Sequence, residues 1–126
     1  MLETITKLEI AFSDDRGDIT NILDEPINHA AIITSSPGSI RGNHYHPEDT
    51  QYCYLISGQF ESYAKDMNDL NSTIEKQIIN PGHLITTPPM VAHAQLFLED
   101  SVFLALTLDD RKTSRFDQHT IRVKII

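Results

Sequence analysis

The feature that most constrains this chain is its punctuation. Nine short runs rich in β-branched and aromatic residues, among them TITKLEI, HAAIITS, QYCYLIS, SVFLALTL and TIRVKII, are interrupted by clusters such as Asp14-Asp15-Arg16-Gly17, Ser36-Pro37-Gly38, Ser57-Gly58, Asn80-Pro81-Gly82 and Pro88-Pro89. Each interruption can set a turn through a fixed or positive φ. Strands this short and this many predict an all-β domain, either a closed barrel or two packed sheets. With 126 residues and no linker or repeat, residues 1–126 are expected to form one domain able to bury a core without staples. The polar stretch KDMNDLNSTIEKQ, residues 65–77, is expected to begin as a hairpin loop.

Composition removes several function classes. Eighteen acidic residues against ten basic ones give a net charge of −8, which repels phosphate backbones and anionic lipid. Nucleic acid and membrane surfaces are therefore not expected partners, although a local cluster drawn from Arg16, Arg41, Arg111, Arg115 and Arg122 could still hold an anion. The single cysteine, Cys53, cannot pair within the chain and fits a reducing compartment. The opening MLETITKLEIAFSDD has no basic-then-apolar leader, and no run approaches the roughly 20 apolar residues of a membrane span. A cytoplasmic, soluble protein is expected.

Chemistry concentrates in IRGNHYHPEDTQYCYLISG, residues 40–58. His44 and His46 are two apart, so on a strand both rings leave the same face with Cβ atoms about 7 Å apart. In QYCYLIS, alternation puts Gln51, Cys53 and Leu55 on one side and Tyr52, Tyr54 and Ile56 on the other. Gln51 thus points where small and apolar residues point, into the interior, and needs polar partners there. His93, after Pro88-Pro89, offers a third nitrogen on a face shared with Gln95 and Phe97. Tyr52 and Tyr54 are expected to pack outward or meet another subunit, and Cys53 to act as a small buried hydrophobe. His29, His83 and His119 and the tip Asp109-Asp110-Arg111-Lys112 carry no motif and read as structural or solvated.

These residues resemble the two motifs of the cupin superfamily. The first reads here as Gly38-x5-His44-x-His46-x4-Gln51-x6-Gly58, and the second as Gly82-x5-Pro88-x-Met90-x2-His93-x3-Phe97. Gln51, Met90 and Phe97 stand where the general pattern has glutamate, glycine and asparagine. The resemblance implies a cupin double-stranded β-helix, or jelly-roll barrel. Within it, Asp14-Asp15-Arg16-Gly17, Arg41-Gly42-Asn43-His44-Tyr45-His46 with Gln51, and Pro88-Pro89-Met90-Val91-Ala92-His93 resemble the sugar-nucleotide 3,4-ketoisomerases and related 3,5-epimerases. Ala92 replaces that branch's tryptophan, and the segment from Phe116 to Arg122 replaces its tyrosine-rich tail.

That likeness implies an isomerase or epimerase acting on a keto-deoxysugar nucleotide. Such chemistry needs a base of near-neutral pKa beside the ketone and a donor for the enolate oxygen. The histidine pair carries over as the acid/base machinery without metal, with His46 as principal base and His44 as its partner. Gln51 would fix their tautomers, while Arg41 and Arg16 would hold the diphosphate or polarise the enolate, and His93 would contact substrate. The alternative is a metal-dependent, dioxygenase-like cupin with zinc, nickel or iron on His44, His46, Gln51 and His93. There an amide replaces the usual charge-offsetting carboxylate. A third possibility is a non-catalytic carbohydrate-binding cupin. Cupins of this kind commonly pair, so a homodimer is expected, and specificity is expected to reside in Arg111 to Ile126.

Overall fold

A computed structural model describes residues 1–108 and 120–126. Among these residues there is no helix, and every paired strand is antiparallel. One sheet has the order β1 (Thr4–Lys7), β9 (His83–Thr87), β6 (Gln51–Ser57), β11 (Ser101–Thr107), β4 (His29–Ser35). The facing sheet runs β12 (Ile121–Arg122), β5 (Ile40–Tyr45), β10 (Val91–Phe97), β7 (Phe60–Asp66), β8 (Glu75–Ile79). A small hairpin joins β2 (Phe12–Asp14) to β3 (Gly17–Ile19). This is a jelly roll, the architecture expected from the punctuated β pattern. The polar stretch after Asp66 forms the β7–β8 connection.

Register sorts the interior into layers that change from polar to apolar along the barrel. Gln51 lies opposite Thr87 and Thr107, Cys53 opposite Ile85 and Ala105, and Leu55 opposite Phe103. Across the sandwich, His93 pairs with His44 and Ala64, Gln95 with Ser62 and Arg41, and Phe97 with Phe60. The apolar end is therefore sealed by Leu55, Phe60, Ile79, Ile85, Phe97 and Phe103. Phe97 stacks near Phe103 at 5.7 Å between ring centroids and meets Phe60 at 5.0 Å. Each such ring contributes about 1.5–3 kcal/mol by leaving water. Histidine, glutamine and threonine occupy the other end, where close packing gives way to a cavity.

Candidate active site

A bulge in β5 builds this cavity. His93 pairs with His44 and Ala94 with Gly42, so Asn43 is the extra residue. Gly42 has φ of +86° and Asn43 of +54°, left-handed conformations that glycine and asparagine tolerate best. Uninterrupted alternation would send Arg41 and His44, three residues apart, to opposite faces. The inserted residue reverses that parity, and both side chains border the same cavity. Asn43 itself turns outward to the final segment: its Oδ1 accepts from Ile125 N at 2.9 Å, and its carbonyl accepts from Val123 N at 3.0 Å. This docking sets Arg122 opposite His44.

Three imidazoles meet here. His44 Nε2 and His93 Nε2 are 3.0 Å apart, which requires one to donate and the other to accept. The His44 ring centroid is 4.9 Å from those of both His46 and His93. His46 follows the end of β5 and is buried, its Nδ1 3.3 Å from Thr120 Oγ1. Burial, then the charges His44 and His46 would carry, push the His93 pKa down to about 3. His93 is thus a neutral ring near pH 7.

The cavity measures about 410 Å³, and His44, His93, Gln51, Gln95, Arg41 and Arg122 supply its polar wall. Ile33, Ile85 and Phe103 supply apolar surface. No described residue lining it is acidic, although the chain carries eighteen acids. Gln51 Oε1 is buried there without a hydrogen-bond partner among the described residues. Arg41 is anchored from behind, its Nε donating to Ser35 Oγ at 2.8 Å and its Nη2 to the Thr34 carbonyl at 2.9 Å.

The ligand-capable nitrogens of His44, His46 and His93 all lie within 4.8 Å of one another. Three imidazoles this close would suit a divalent ion as an uncharged donor set.

The sequence model of one family, described as Cupin, matches residues 21–120. The chain belongs to the cupin family. Solved structures similar to this cupin include a dTDP-4-dehydrorhamnose 3,5-epimerase from Sulfolobus tokodaii, with 19% identity over 99% of this chain and 78% of that one, TM-score 0.80. A 3,4-ketoisomerase from Helicobacter canadensis is 20% identical over 97% and 91%, TM-score 0.79. A sugar 3,4-ketoisomerase from Thermoanaerobacterium thermosaccharolyticum, in complex with TDP, is 21% identical over 96% and 88%, TM-score 0.76. At these identities the likeness is one of fold. A comparison with curated proteins gave no match.

Of the residues singled out from sequence, the cupin fold brings His44, Gln51, His93 and Arg41 to the cavity. His46 touches His44 but does not border the cavity. Arg16 is not brought there: it sits in the β2–β3 turn with an 82% exposed side chain, paired with Asp14 at 2.5 Å. Tyr52 borders the cavity despite its outward parity. Cys53 is buried and its thiol pKa is pushed far up by that burial, as befits an inert side chain. Met90 adopts φ of +67° at the position of the family's glycine, which shows why glycine suits that corner. The sequence puts Gln95 on the face of His93 without marking it as a site residue, and it gives no signal for Glu3, which belongs to no motif. Asp109 to His119, including the acidic tip and most of the proposed specificity segment, lie outside the described residues.

Proposed function

We propose that this cupin is an isomerase or epimerase that removes a proton from the carbon beside the ketone of a keto-deoxysugar nucleotide. One observation carries the reading: an acidic chain folds around a cavity walled by arginine, histidine and glutamine, with no acid among its described lining residues. Such a wall suits an anionic ligand with a hydroxyl-rich body, and 410 Å³ is an ordinary size for a small-molecule site. The structural neighbours named above support it as an analogy of fold.

The ring carbon gives its proton to imidazole, and the electron pair moves onto the ketone oxygen as an enolate. Returning the proton to the other face inverts that carbon, whereas returning it to the neighbouring carbon moves the ketone. His44 is the member of the histidine pair that reaches the cavity, so we assign it the contact with substrate. His46, behind it, serves as its partner, which exchanges the roles first assigned to a pair whose order the sequence does not set. We assign Arg41 to the diphosphate or the enolate; its bonds to β4 at the cavity edge support that role. Gln51 offers its unpaired oxygen to a sugar hydroxyl.

The three-imidazole cluster favours a second reading, in which a divalent ion on His44, His46, His93 and Gln51 acts as a Lewis acid. We further place the protein, a single domain, in the cytoplasm as a homodimer. The register row Ile32–Leu104–Tyr54 on the outer sheet face, with Ile32 72% exposed, is the surface offered to a second copy. Proton NMR in D2O with a panel of dTDP- and other nucleotide-linked keto-sugars tests the reaction. Loss of the signal beside the ketone is expected; binding without exchange across the panel refutes catalysis and leaves a carbohydrate-binding cupin.

A further inference from the structure

Glu3 is a buried acid that the proton-transfer reading does not use. It is 3% exposed and precedes β1, yet its side chain reaches the opposite sheet. Ser62 Oγ on β7 donates to Oε1 at 2.6 Å, and Thr87 Oγ1 on β9 donates to Oε2 at 2.5 Å. Burying a carboxyl group is costly, and two hydroxyl donors offset only part of that cost. Oε2 also lies 3.9 Å from His93 Nδ1, the ring nitrogen turned away from His44. Other titratable groups around it are Glu75 on β8 and Cys53 on β6, the first a like charge and the second a neutral thiol.

We propose that Glu3 is a positioning residue that fixes the tautomer of His93 and, through it, that of His44. A neutral imidazole carries one N–H. Both hydroxyls donate to the carboxyl oxygens, so Oε2, the oxygen 3.9 Å from His93 Nδ1, faces it as an acceptor; across that distance the attraction is electrostatic rather than a hydrogen bond, and it favours the tautomer with the proton on Nδ1 toward Glu3. His93 Nε2 is then an acceptor. In the 3.0 Å contact His44 must donate from Nε2, which leaves the acceptor lone pair of His44 on Nδ1, an atom that is buried in the absence of substrate. A carboxylate behind a working histidine commonly does this.

The assignment of a catalytic consequence rests on the proton-transfer reading, but the tautomer does not. Long-range proton–nitrogen NMR of chelator-treated, ¹⁵N-histidine-labelled protein should show His93 protonated on Nδ1. In Glu3→Gln, whose amide can present N–H in place of oxygen, the His93 proton should move to Nε2. With the substrate in hand, kcat should fall about 10–100-fold while KM stays within about twofold, since Glu3 does not border the cavity. His93 protonated on Nε2 in the wild-type protein, or unchanged in Glu3→Gln, overturns the inference. Should that variant fail to fold, the wild-type spectrum still decides. The expected tautomers without turnover of any keto-sugar would support Glu3 positioning and reject the reaction instead.

Discussion

Replacing Gly42 by alanine attacks the bulge on which the cavity depends. A Cβ there would stand 2.7 Å from the His93 carbonyl oxygen and 3.1 Å from Ala94 Cα, both backbone atoms with no freedom to swing aside. The left-handed φ of +86° costs alanine about 1–2 kcal/mol. Forcing β5 from β10 adds about 1–3 kcal/mol of overpacking. Gly82→Ala is the matched control, because Gly82 has φ of +90° but nothing within 4 Å of its Cβ. Urea unfolding should therefore show Gly42→Ala less stable by about 2–5 kcal/mol and Gly82→Ala by only about 1–2 kcal/mol. The displaced His93 backbone should also lengthen the 3.0 Å His44–His93 contact and disturb both rings' NMR signals. Equal losses for the two variants, with unchanged histidine signals, would refute the close-approach reasoning.

Other outcomes follow from the same geometry. The His93 pKa falls from 6.5 to about 3 on folding, so the unfolded chain takes up a proton that the folded one resists. In chelator-treated protein this stability is complete above about pH 6.5 and is lost as pH falls toward 3, up to roughly 5 kcal/mol, and His93→Gln should flatten that slope in pH-dependent melts. Glu3 works in the opposite sense: burial holds it above 4.5, so its stabilising share is present below that pH and is lost as pH rises through its folded value. Cys53 should resist a thiol reagent at pH 8 in the native protein and react fully in denaturant, as counted by mass spectrometry. Arg41→Gln should weaken dTDP binding about 10–100-fold by calorimetry, whereas Arg16→Gln should change it less than about twofold.

Much of this arrangement can be read in the chain because it depends on local rules. Alternation in QYCYLIS sends Gln51, Cys53 and Leu55 inward, and the register layers bear that out. Spacing of His44, His46 and His93 announces the fold because three nitrogens converge only if two strands pair where they do. What stays hidden depends on tertiary events. The parity reversal at Gly42-Asn43 has a faint signal in two residues that tolerate positive φ, but only strand pairing reveals the extra residue. Arg16 matches a family pattern, yet a local ion pair with Asp14 claims it. Glu3 has no motif, since its meaning comes from the 59 and 84 residues separating it from Ser62 and Thr87.

Solvent deuterium entry into a nucleotide keto-sugar, compared between chelator-treated wild-type protein and His44→Asn, tests proton transfer at this site most directly. Transfer through His44 requires that exchange persist after chelation and fall about 10²–10⁴-fold in the variant. Exchange at the wild-type rate in His44→Asn would contradict it. So would exchange that stops on chelation and returns with a divalent ion, which would make the three imidazoles a metal centre.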